Sequence, residues 1–191
     1  MFNRNVLVVA ATGKSHSVVV DSSGSMYSVG LNKNGQCGVG QNAEKIKDWK
    51  KCGTVSDFSR KKGDSADKRG TTFVQVSCGE NFTVALDDEG KLWTTGSAEF
   101  GCTGSGSTGE HFITANKIAF ADSNRFELRD TFVTKNEKDN SVPLPDTSRI
   151  RLGSISCGKY HTLAVEALSE NGKQPRVFSW GSGNFGCLGH R

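Results

Sequence analysis

A block of glycines recurs three times in this chain at nearly constant spacing, and that recurrence limits the fold more than any other feature. The copies are Gly13, Gly30, Gly35 and Gly38; Gly79, Gly96, Gly101 and Gly104; and Gly158, Gly181, Gly186 and Gly189. Gly13 to Gly30 and Gly79 to Gly96 both span 17 positions, and Gly158 to Gly181 spans 23. The longer third copy takes its extra residues where a hairpin turn is expected, around Ala167-Leu-Ser-Glu-Asn-Gly-Lys-Gln-Pro-Arg176. In every copy the next Gly follows five positions on, and another three beyond that. Self-similarity of this kind points to a repeat architecture before any single element is assigned.

Each copy reads as a set of short strands. His16-Ser-Val-Val-Val20 is apolar and β-branched, which suits a strand buried on both faces. Asp21-Ser-Ser-Gly24 and Asp87-Asp-Glu-Gly90 are polar breaks ending in Gly, as a hairpin turn needs. Return strands are predicted over 25–29, 91–95 and 177–180, and leading strands over 6–10, 73–77 and 151–155. A further strand is predicted over 112–120. Four-stranded units repeated along a chain are the sequence signature of β-propeller blades.

The third copy carries the fullest motif: Cys157-Gly-Lys-Tyr-His161-Thr-Leu-Ala-Val165, then Trp180-Gly-Ser-Gly-Asn-Phe-Gly186-Cys-Leu-Gly189-His190. This pattern resembles the RCC1 (regulator of chromosome condensation) repeat. The resemblance covers the three repeat cores and departs from the family in places. Phe82 stands where His is usual, and Cys37, Cys102 and Cys187 stand near the usual Leu of the glycine block. The resemblance implies an all-β fold of RCC1-like propeller blades, about three of an expected seven. The whole of 1–191 is then one partial propeller domain. Its repeat cores are about 6–40, 73–106 and 150–191, with a basic insertion over 43–70 and a second insertion over 122–149. Three such blades do not close a ring, so the expectation is a fragment, or a surface completed by another chain, including self-association through open propeller edges.

Charge is unevenly placed. Of the formal net charge of +4, all falls between Ala43 and Gly70. That segment holds Lys45, Lys47, Lys50, Lys51, Arg60, Lys61, Lys62, Lys68 and Arg69 against Glu44, Asp48, Asp57, Asp64 and Asp67. These nine cations are candidate partner-binding residues for chromatin or another acidic partner, set against a plain solvated insertion. Trp49, inside it, is either an exposed anchor or the core of a short helical turn with Ile46. The six cysteines form no C-x-x-C pair, so no zinc ribbon or thioredoxin-like motif is present, and reduced thiols of a nuclear or cytoplasmic protein are expected. No apolar run reaches the roughly 18 residues of a membrane span, and the start shows no signal core, so neither membrane association nor secretion is expected.

No constellation for bond-breaking chemistry emerges. His16 and His161 share one repeat position, filled by Phe82 in the second copy, which argues for packing; the resemblance implies a His that bridges strands or loops within a blade. His111 and His190 lie in loops without a ligand partner at a useful spacing. Trp93 and Trp180 are read as core aromatics at a shared repeat position, and Cys78 and Cys157 as buried small residues. Gly181-Ser-Gly-Asn-Phe-Gly186 scans as G-x-G-x-x-G but lacks the strand–helix context of a phosphate cradle. No catalytic residue, cofactor site or metal site is therefore assigned. The resemblance implies a guanine-nucleotide exchange factor or regulator of a Ran-type small GTPase, acting by protein–protein binding. The alternative is a non-catalytic RCC1-like interaction platform in a larger protein.

Overall fold

The computed structural model describes residues 7–41, 43–53, 70–104, 121–122, 150–168 and 174–189. They form three antiparallel sheets that follow one another along the chain. The first contains β1 (Leu7–Thr12), β2 (His16–Asp21), β3 (Met26–Leu31) and β4 (Lys45–Lys51), in that spatial order. The second contains β5 (Phe73–Cys78), β6 (Phe82–Asp87), β7 (Leu92–Gly96) and the two-residue β8 (Ala121–Asp122). The third holds β9 (Leu152–Cys157), β10 (His161–Glu166) and β11 (Val177–Gly181). The strand predicted over 112–120 lies outside the described residues.

The glycine-bounded copies are thus blades, and their second strands are the apolar runs. β2 and β6 are the most buried strands: β6 sets Phe82, Val84 and Leu86 against the third blade and Thr83 and Ala85 against the first, whereas β2 meets the second blade through Val18 and Val20. One apolar cluster joins Val18, Val20 and Met26 of the first blade to Phe73, Val76 and Ala85 of the second. A second joins Phe82, Val84, Leu86 and Leu92 to Leu152, Ile155, Ala164 and Phe178 of the third. Fully burying a side chain such as Phe82 or Phe178 contributes about 2–3 kcal/mol, so these inter-blade clusters are the core. Strands β1, β5 and β9 lie beside one another as the leading strands of successive blades.

The same irregularity recurs in each blade. The pairing of leading and second strands slips at Leu7/Val9, at Phe73/Gln75 and opposite Val165/Glu166. The skipped residues Val8 and Val74 bulge outward, which accounts for their exposure. Close approach follows at the hairpins. Phe73 N–H donates to Gly24 O and Leu152 N–H to Gly90 O, both at 2.9 Å. A Cβ on Gly24 would lie 2.4 Å from the Thr72 methyl, and one on Gly90 2.2 Å from Arg151 Cγ, so each hairpin glycine lets its blade touch the next.

The hairpin turns are organised by a buried carboxylate. Asp21 Oδ1 accepts from the backbone N–H of Ser23 and Ser25 at 2.9 and 3.0 Å. Asp87 Oδ1 accepts likewise from Glu89 and Lys91, and its Oδ2 accepts from Trp93 Nε1 at 2.7 Å. In the third blade Glu166 takes this place and pairs with Arg176 at 2.9 Å.

Candidate functional site

The turns between leading and second strands share one end of the array. There Thr12-Gly13-Lys14, Cys78-Gly79-Glu80 and Cys157-Gly158-Lys159 line a concavity of about 470 Å³. Its position follows from the Gly-x-x-His/Phe motif. A Cβ on Gly79 would lie 1.9 Å from Phe82 Cε1, and Cβ atoms on Gly13 and Gly158 would lie 2.3 and 2.1 Å from the Cε1 of His16 and His161. Each glycine therefore lets a ring fold back beneath its own turn, and the turns pack edge to edge. Lys14 N–H donates to Glu80 O at 3.3 Å, and Glu80 N–H to Lys159 O at 3.0 Å.

Side chains repeat that stitching. The nearly buried Glu80 carboxylate takes Lys14 Nζ on Oε1 and Lys159 Nζ, at 3.3 Å, on Oε2. Hydrogen bonds from Lys14 and then Tyr160 hold the Glu80 carboxyl down at about 2. Its hydrogen bond in turn raises the Lys159 ammonium and the Tyr160 hydroxyl. The rim is thus a fixed plus–minus–plus array with both lysine ends in solvent.

The thiols here are unreactive. Burial pushes Cys78 up to about 12 and Cys157 up to about 11, so neither supplies thiolate near neutral pH. Both are half-buried, where the sequence reading expects buried small residues, and both line the concavity.

The repeat histidine does more than pack, and it acts between blades. His16 Nε2 lies 2.9 Å from Thr83 Oγ1 of the next blade, and Thr83 donates its only hydroxyl hydrogen to Gln36 O at 2.8 Å. The ring must then donate through Nε2–H, leaving Nδ1 as a buried lone pair without a partner. Burial holds His16 down at about 4, so it is neutral. The bridge expected within a blade is therefore a joint between blades. The next joint repeats it: Thr162 Oγ1 donates to Cys102 O at 2.9 Å, and Trp180 Nε1 donates to the same carbonyl at 3.0 Å. Phe82, at the histidine's position, cannot make that bond and packs instead.

Strand register also corrects the tryptophans. Trp93 pairs with Ala85, as Phe178 does with Ala164, whereas Trp180 pairs with Thr162, as Thr95 does with Thr83. Trp93 and Trp180 therefore sit two residues apart in the repeat. One bonds the turn carboxylate of its own blade and the other the preceding blade. The G-x-G-x-x-G segment ends in a three-residue 3-10 turn at Asn184–Gly186.

Of the nine candidate basic residues, Lys45, Lys47, Lys50 and Lys51 lie on β4, the outer strand of the first blade, and all four are exposed. Arg60, Lys61, Lys62, Lys68 and Arg69 lie outside the described residues, as do His111 and His190. A strand here replaces the helical turn entertained around Trp49. Ile46 is buried in the core and Trp49 is 39% exposed.

Successive antiparallel sheets joined through Thr-to-carbonyl bonds, with glycine-floored turns at one end, define a β-propeller repeat. The chain belongs to the RCC1 repeat family: the regulator of chromosome condensation (RCC1) repeat matches residues 8–36 and 73–102, and in a second form 23–86. Among curated proteins, the chain is 31% identical over 186 residues to the zebrafish (Danio rerio) protein RCC2 homolog, covering 97% of this chain and 33% of that protein. To human protein RCC2 it is 28% identical over 189 residues, covering 98% and 32%. The chain thus spans about a third of the length of these relatives. Among solved structures, Prp20p of Saccharomyces cerevisiae aligns with a TM-score of 0.57 at 19% identity, covering 96% of this chain and 35% of that one. Human WBSCR16 aligns with a TM-score of 0.58 at 17% identity, covering 97% and 36%. A partial RCC1-type propeller accounts for both the sheets and these matches.

Proposed function

We propose that this chain is the protein-binding part of an RCC1-type regulator of a Ran-type small GTPase, acting as a guanine-nucleotide exchange factor. The observation that supports the reading is the charged rim of Lys14, Glu80 and Lys159, in which every described blade contributes a turn to one surface. An exchange factor makes and breaks no bonds; it binds the nucleotide-free GTPase more tightly than the loaded form and so lowers nucleotide affinity by linkage. A preformed rim of fixed charges suits such work, because little ordering is lost on binding. The solved relative Prp20p is described by its binding to Gsp1p and histones, which supports both a GTPase and a chromatin partner, and hence a nuclear or cytoplasmic site of action.

A second reading is an interaction platform without exchange activity. The likeness to the probable E3 ubiquitin-protein ligase HERC4 of human favours it: 29% identity over 94% of this chain but only 13% of that protein. The matched stretch there is a small part of a much larger molecule. Fluorescent-nucleotide release from a Ran-type GTPase separates the two. Release accelerated by the chain, and lost in Glu80→Arg, supports exchange; unchanged release together with retained GTPase binding supports the platform.

A further inference from the structure

We propose that β4 is a docking edge for an acidic, extended peptide, which adds to the first blade as a fifth strand. The inference stands apart from the GTPase reading and uses a different surface. Among the described residues β4 is last in the order β1-β2-β3-β4, so one side of its backbone ladder has no strand beside it. Asn32 N–H donates to Glu44 O at 2.7 Å and Cys52 N–H donates to Met26 O at 2.8 Å, which turns residues 44 and 52 toward β3. Antiparallel alternation then turns the N–H and C=O of Lys45 and Lys51, opposite Leu31 and Tyr27, outward.

The strand has the length and the charge for this role. Its seven residues, with a bulge between the pairs Gly30–Ile46 and Ser28–Lys50, span at most about 23 Å. Asp48 is its one carboxylate against Lys45, Lys47, Lys50 and Lys51. Among the described residues none of these ammonium groups has a carboxylate partner: Lys50 Nζ donates to Gln41 Oε1 at 2.6 Å, and the nearby Glu44 pairs with Lys33. Buried Ile46 anchors the strand, so the edge is preformed. Lysines on an edge strand repel a like edge, and so guard against self-pairing. The same lysines select a strand rich in carboxylates, with main-chain bonds giving affinity and charge giving choice.

The test uses a capped, fluorescein-labelled octapeptide of alternating Glu and Val, read by anisotropy against the intact chain. Saturable binding is expected, weakening about tenfold when Lys45, Lys47, Lys50 and Lys51 are all changed to Gln and surviving when all four are changed to Arg. Two further peptides, N-methylated at the odd or at the even positions, need no change to the protein. One is expected to bind about tenfold more weakly and the other to match the parent, because only alternate N–H groups of an added strand face β4. Equal binding of both methylated peptides overturns the proposal. So does unchanged binding by the Gln variant. Binding of duplex DNA through these lysines without peptide binding overturns it too, as does dimerisation through β4 in place of peptide binding.

Discussion

His16 offers a direct way to weigh the joint between blades. The ring is buried, donates through Nε2–H to Thr83, and keeps an unpartnered Nδ1 in the interior. Its pKa is about 4 in the folded chain, against an ordinary 6.5. The unfolded chain therefore takes up a proton first as pH falls. A folded value below the unfolded one means that the stabilising contribution is present above about pH 6.5 and is lost progressively down to about pH 4. One pKa unit corresponds to about 1.4 kcal/mol. Between pH 7 and 4.5 the wild type should thus lose about 2 kcal/mol from this residue alone. Phe fills the same position in the second blade, folded over Gly79, so His16→Phe is a replacement the repeat already accommodates. Urea unfolding of both proteins at several pH values isolates the effect, since titrations elsewhere cancel in the difference. The variant should gain about 2 kcal/mol relative to wild type on going from pH 7 to 4.5. Parallel pH profiles for the two proteins would refute the assignment of a buried neutral imidazole.

Three more predictions concern the same architecture. Gly79→Ala should cost about 3 kcal/mol, since its Cβ would meet the Phe82 ring, while Gly70→Ala, with nothing within 4 Å, should stay within about 0.5 kcal/mol of wild type by urea unfolding. Thr83→Val should cost about 2–3 kcal/mol because it strands both His16 Nε2–H and Gln36 O, and Thr162→Val only about 1 kcal/mol because Cys102 O keeps Trp180; equal midpoint shifts would contradict this. For Glu80, carboxyl titration by NMR should give a midpoint near 2 that moves up toward the ordinary 4.5 in Lys14→Ala. The stability it supplies is present above that ordinary value and is lost as pH falls toward 2.

The blades were legible because glycine spacing and β-branched runs are local signals, and β2, β6 and β10 begin at the predicted His16, Phe82 and His161. The joints were not legible, since their partners are far apart in sequence: His16 and Thr83 are separated by 67 positions. The histidine could be seen to be structural, but not that its bond crosses to another blade. Trp93 and Trp180 look equivalent in the sequence because each is the aromatic residue nearest its closing glycine, and only strand register separates them by two residues. β4 escaped notice because a strand with only Ile46 buried shows no period-two pattern in its apolar residues. Asp21 and Asp87 were visible as turn residues, but their hold on two N–H groups each depends on three-dimensional closure of the hairpin.

The joints also indicate where these blades are free to differ. Each is built from a hydroxyl on the second strand, a backbone carbonyl of the preceding glycine block and a hairpin glycine. A carbonyl is present whatever the side chain, so Gln36 and Cys102 serve equally as acceptors. The inner strands add a side-chain surrogate of a backbone ladder: the Gln75 amide spans Ile155 N–H and C=O at 3.1 and 3.0 Å. None of these contacts uses the outer strand or the charge of the rim turns. A blade can therefore vary the residues of its outer strand, or carry Lys14, Glu80 or Lys159 at its rim turn, without dismantling its joint to the next blade. Lys14, Lys159 and the β4 lysines among these positions face solvent, so partner choice can change while the stacking chemistry stays constant.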